Sequence, residues 1–131
     1  MFMATEKRVI ATENAPQAIG PYSQAVCWDS LIFCSGQIPL DAKSGELVKG
    51  GVKEQTKQVL ENLGQVLAAA GARWNQVLKT TIYLQSMSDF PVVNEVYGGF
   101  FSEPYPARAT VEVGALPKGA LVEIEAVAFK H

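Results

Sequence analysis

Apolar side chains return every three or four positions between residues 52 and 70. Val52, Val59, Leu60, Leu63, Val66, Leu67 and Ala70 form one stripe with Thr56, while Lys53, Glu54, Lys57, Gln58 and Glu61 stay off it. That spacing predicts an amphipathic helix whose apolar face covers about a third of its circumference. Gly71 is placed to end it in a left-handed conformation. A shorter helix is predicted from Phe90, Val93, Val96 or Tyr97, and Phe100, with Ser88 as N-cap and Pro91 in the first turn. Gly98 and Gly99 weaken its last turn by about 1 kcal/mol each. The other apolar runs are short and rich in β-branched residues, which predicts strands. "KRVIAT" reads as an edge strand. Runs at 22–28 and 31–35 flank a tight turn at Asp29-Ser30, and further strands are predicted at 76–85, 106–113 and 121–129. "DAKSGELVKGG" is a loop by its turn formers.

The resulting order, β(ββ)αβαββ, predicts an α+β fold: a single domain over 1–131, with two helices on one face of a mixed sheet and a mobile start at 1–7. Two helices cover only one face. Ile32, Cys34, Leu78, Ile82, Leu84, Val111 and Val113 nevertheless supply apolar side chains to both faces. An uncovered apolar face is normally buried against another chain, so a homo-oligomer is expected.

Composition narrows the function classes. The 131 residues are 48% hydrophobic and 18% charged, which suits a folded domain with its own core. A net charge of −2, with the eleven Lys and Arg scattered, argues against nucleic-acid binding. Cys27 and Cys34 form no CxxC pair and His131 is the sole histidine, so a structural metal site lacks ligands. The two cysteines read as buried, reduced thiols of a cytosolic protein. No run is long enough to cross a membrane, and the N-terminus lacks a long apolar core for secretion. A cytoplasmic location is expected, with a mitochondrial one left open.

The strand-like segments "PARATVEV" and "VEIEAVAF" carry charges among apolar neighbours. Period-two alternation puts Arg108, Thr110 and Glu112 on one face, and Glu123 and Glu125 together on one face of the last strand. Because a buried, unpaired charge costs several kcal/mol, such groups are paired with each other, exposed at a rim, or lining a pocket. If they line a pocket, its chemistry follows. A guanidinium grips a carboxylate through two parallel hydrogen bonds. A glutamate beside it repels that carboxylate but suits proton handling or the orientation of a water. The pair suits a small acid with a water-sensitive centre.

"IGPYSQAV", "SGQIPLD", "VLKTTIYL", "DFPVVNEVY", "PARATVEVGALPKGA" and "VEIEAVA", in that order from about residue 8 to 130, resemble the RidA/YjgF family of imine deaminases. The resemblance implies a chorismate-mutase-like fold and a homotrimer with sites in the clefts between subunits. It also implies hydrolysis of enamines and imines such as 2-aminoacrylate, 2-iminopropanoate and 2-iminobutanoate to 2-oxo acid and ammonia, with no cofactor. By position, Arg108 matches the carboxylate-binding arginine and Glu123 the water-directing glutamate, which leaves Glu125 to structure. Tyr22, Ser35, Gly36 and Asn94 match other pocket residues. Thr110 stands where many bacterial relatives have cysteine, so thiol chemistry is not carried over; a contribution through its backbone carbonyl is. The rival readings are a ribonuclease or translation inhibitor, and a non-catalytic module that binds small carboxylates such as 2-oxo acids.

Overall fold

A computed structural model describes residues 6–131. The mobile start expected at 1–7 falls mostly outside them. Six strands form one sheet: β1 (Arg8–Ile10), β2 (Ala25–Trp28), β3 (Leu31–Gln37), β4 (Val77–Leu84), β5 (Ala107–Glu112) and β6 (Val122–Phe129). Their order is β1-β2-β3-β6-β4-β5. Every neighbouring pair is antiparallel except β4 and β5, which are parallel and joined through a helix. The sheet is therefore mixed, as expected, and β4 separates the last two strands in the chain.

Helix α1 (Val52–Ala69) packs its stripe on β3 and β6. Val59, Leu60, Leu63 and Val66 are fully buried against Ile32, Ile82, Leu84 and Ile124. Gly71 follows its last turn at φ +86°, the left-handed conformation that favours glycine. Helix α2 (Phe90–Gly98) lies against α1, on the same side of the sheet. Its start differs from expectation. Asp89 is the N-cap residue, without a side-chain cap bond, and the serine that caps is Ser86, which heads a preceding 3₁₀ turn over Met87–Asp89. The helix also stops before Phe100. That ring continues the apolar face beyond Gly98-Gly99 by stacking edge-on against Trp74.

Asp29, at φ +56°, turns the β2–β3 hairpin where it was expected. Cys27 and Cys34 are free and buried in the core. They sit diagonally across the hairpin, Cys27 opposite Ile32 and Cys34 opposite Ala25. Burial, helped by the neighbouring Cys27, pushes the Cys34 thiol up to about 12.

Strand β6 alternates strictly: Val122, Ile124, Ala126 and Ala128 face the helices, and Glu123, Glu125, Val127 and Phe129 face the other way. Among the described residues no layer covers that second face, which displays Trp28, Leu31, Phe33, Leu78 and Val111. Leu78 joins it by a break in alternation. The β4–β6 register shifts between Val77 and Lys79, so Val77 turns into the core and Leu78 turns out.

Candidate functional site

Two clusters of charge and hydroxyl groups emerge, one on each face of the sheet. The first is built on β5 and α2. Arg108 is the register partner of Thr80 and shares its helix-side face. Its guanidinium lies 5.0 Å from the centroid of the Tyr97 ring and 5.4 Å from that of Phe90. One nitrogen, Nη1, donates to Asn94 Oδ1 at 2.8 Å. Phe90, Asn94 and Tyr97 are spaced i, i+4, i+7, so a single stripe of α2 supplies both rings and the amide. Asn94, Tyr97, Gly98, Tyr105, Pro106 and Arg108 line an open pocket of about 470 Å³. Thr110, half-buried, lies one alternation further along the same face of β5.

Among the described residues no carboxylate pairs with Arg108. Glu112, on the same face, is engaged elsewhere, accepting the Met87 backbone N–H at 2.7 Å. A structural ion pair is therefore not why the arginine is there. Its guanidinium lies over two aromatic rings, a favourable cation–π arrangement, and its one described hydrogen bond is that from Nη1.

The second cluster lies on the uncovered face. Glu123 is opposite Tyr83 of β4 and leans over Gly36 of β3. Here β3 carries an extra residue against β6, between Cys34 and Gln37, so Ser35 and Gly36 sit in the bulge. Ser35 Oγ donates to the Ser23 carbonyl at 2.6 Å, and its N–H donates to the Gln24 carbonyl. These bonds tie the bulge to the segment that carries exposed Tyr22. Burial raises the pKa of Glu123, and the charge of Glu125 raises it further. The Tyr83 phenol is raised too, by burial first and then by Glu125. Glu125 is thus an electrostatic neighbour of both Glu123 and Tyr83.

Within one chain, then, Arg108, Asn94 and Thr110 gather on the helix-side face at the β5 edge. Glu123, Gly36 and Ser35 gather on the opposite face, with Tyr22 beside them. The sheet stands between the two groups. Sequence reasoning missed the supporting roles of Phe90, Tyr97 and Thr80. The i, i+4, i+7 spacing of Phe90, Asn94 and Tyr97 was a usable signal for the first two, but the buried hydroxyl pairing of Thr80 needed the three-dimensional register. No group of three or more His, Cys, Asp and Glu side chains among the described residues is placed to hold a metal. No described helix is long and apolar enough to cross a membrane.

Residues 12–130 match the family described as Endoribonuclease L-PSP. The chain belongs to that family. The human member named 2-iminobutanoate/2-iminopropanoate deaminase is 54% identical over 124 residues, covering 95% of this chain and 90% of the relative. A solved structure of the conserved Rid protein family, YyfA from Yersinia pestis, superposes with a TM-score of 0.92 at 49% identity, over 95% of this chain and 99% of that one. The E. coli TdcF structure, solved with bound serine, gives a TM-score of 0.89 at 41% identity, over 95% and 99% of the two chains. The family is the one the sequence motifs resemble. Its Rid members share the six-stranded sheet and two helices described above.

Proposed function

We propose that this L-PSP family protein hydrolyses small 2-imino acids, and the enamines that tautomerise to them, to 2-oxo acids and ammonia. The working form is a homotrimer, in which each cleft joins Arg108, Asn94 and Thr110 of one copy to Glu123, Gly36, Ser35 and Tyr22 of the next. The observation that carries this reading is Arg108: a guanidinium seated on two rings, unpaired by any described carboxylate, at the mouth of a pocket. The name of the human relative supplies the reaction class. Serine bound to TdcF supports a site for small amino-acid-like carboxylates.

In this mechanism Arg108 binds the substrate carboxylate and so fixes the adjacent C=N carbon, a gain by orientation rather than covalency. Glu123, ionised, takes a proton as water adds to that carbon and returns it to nitrogen. The carbinolamine then re-forms C=O and expels ammonia. A carboxyl with a raised pKa is the better base for this exchange. The reaction draws on no cofactor.

The test is imine decay coupled to an amino-acid oxidase that generates 2-iminopropanoate. Arg108→Ala is expected to lose roughly 10- to 100-fold in kcat/KM, the value of one charge-assisted carboxylate contact. Unchanged decay overturns the assignment. The family's description favours RNA cleavage as a second reading. The net charge of −2 and the single, terminal histidine weigh against it. RNA cleavage by repurified protein that persists in Arg108→Ala and Glu123→Gln would favour it. Binding of a small carboxylate at Arg108 without imine turnover would select a non-catalytic module instead.

A further inference from the structure

Thr80 is fully buried in β4, on a face where its neighbours Ile82 and Leu84 are apolar. A hydroxyl in such a place is costly without a partner. Its partner is the phenol of Tyr97 on α2, with the two oxygens 2.7 Å apart. Tyr97 is only 5% exposed and stacks on Phe101 with centroids 4.4 Å apart and planes at 28°. Phe101 is held in turn by the edge of Trp74 at 5.0 Å. The ring is therefore fixed at its hydroxyl end and on its flank, and the Arg108 guanidinium lies 5.0 Å from its centroid. Since Thr80 and Arg108 are register partners, a single β4–β5 rung carries both the anchor of the ring and the cation laid against it.

Arg108 needs such a seat. It is exposed, and one hydrogen bond to Asn94 does not fix the plane of its guanidinium. An arginine side chain has about 2 kcal/mol of rotamer entropy to lose, and affinity for a flat carboxylate falls if that loss is deferred to binding.

We propose that Tyr97, locked by Thr80, is a positioning residue: it sets the plane in which Arg108 presents its donors to the substrate carboxylate. The inference rests on the carboxylate-binding role given to Arg108 above. Pyruvate, a non-reacting carboxylate of product shape, is the probe. It is titrated into the full-length protein by isothermal calorimetry, with the Arg108 Nε–Hε resonance followed wherever that side chain is present, and KM and kcat for 2-iminopropanoate are measured alongside. Thr80→Val and Tyr97→Phe are each expected to weaken pyruvate binding roughly three- to tenfold, the value of one buried hydrogen bond. Each raises KM by a larger factor than it lowers kcat. Because one bond makes the lock, the double variant binds no worse than either single variant. Thr80→Ser, which keeps the hydroxyl, restores affinity. Pyruvate affinity within twofold of wild type in all variants, with only the melting temperature altered, overturns the proposal. Arg108→Ala separates the two readings. If it binds pyruvate as wild type does, the clamp itself fails and the positioning role falls with it. If it abolishes binding while Thr80→Val and Tyr97→Phe do not weaken it, only the positioning role fails.

Discussion

Glu123 owes its place to a missing side chain. A Cβ added to Gly36 would stand 2.9 Å from the Glu123 carboxyl carbon and closer still to one of its oxygens, so the carboxylate occupies space that only glycine leaves. Gly36→Ala is expected to displace that carboxylate by about an ångström, which costs roughly a hundredfold in turnover when the displaced group is catalytic. The fold persists, because Ser35 keeps its hydroxyl bond to the Ser23 carbonyl and its N–H bond to the Gln24 carbonyl; circular dichroism beside the imine assay checks both. The raised pKa of Glu123 gives a second prediction. A carboxyl whose folded pKa lies above its ordinary 4.5 is protonated more readily in the folded state than in the unfolded one. Its favourable contribution is complete below 4.5 and is lost as pH climbs through the folded value. Glu123→Gln should therefore melt higher than wild type at pH 7–8 and converge with it near pH 4, in thermal melts across that range. Activity, which needs the carboxylate ionised, should rise with pH across the same window.

At the scale of elements, the helix faces and strand alternation were legible because each rests on a local period. The long stripe of α1, the left-handed Gly71 and the strict alternation of β6 need no knowledge of distant residues. The departures are places where a register shift against another strand or an intervening turn overrides the period. Leu78 has the parity of Ile82 and Leu84, yet a register shift against β6 turns it out. Ser88 has the spacing of a cap, yet a 3₁₀ turn capped by Ser86 intervenes. Trp74 shows how distant contacts tie elements together, since its ring meets Phe100 and Phe101 and also crowds α1 at Gly64. A Cβ at Gly64 would stand 2.8 Å from that ring. Alanine in a helix interior gains about 1 kcal/mol over glycine. Forcing a packed ring aside costs about 1–3 kcal/mol and strains two aromatic pairs. Gly64→Ala is thus expected to lower stability by about 1 kcal/mol, read as a drop in the denaturation midpoint at unchanged slope.

For the whole molecule, what the sequence could not reveal is the partition of the candidate residues. Alternation put Arg108 with Thr110, and Glu123 with Glu125, but it says nothing of which face of β5 matches which face of β6. The parallel insertion of β4 between them decides that and sends the two charges to opposite sides of the sheet. In the homotrimer proposed above the two come from different copies, with the face bearing exposed Trp28, Leu31, Phe33 and Leu78 as the apolar surface between them. Subunit complementation tests this directly. Arg108→Ala and Glu123→Gln protomers, each strongly impaired alone, are co-expressed with different tags, and mixed trimers are purified through both. In a cyclic trimer, either mixed composition contains one cleft of three with an intact arginine facing an intact glutamate. Random equal mixing makes about three quarters of the trimers mixed, so the unfractionated population should regain about a quarter of wild-type activity and the doubly tagged fraction about a third. If each copy housed its own site, mixing would regain nothing.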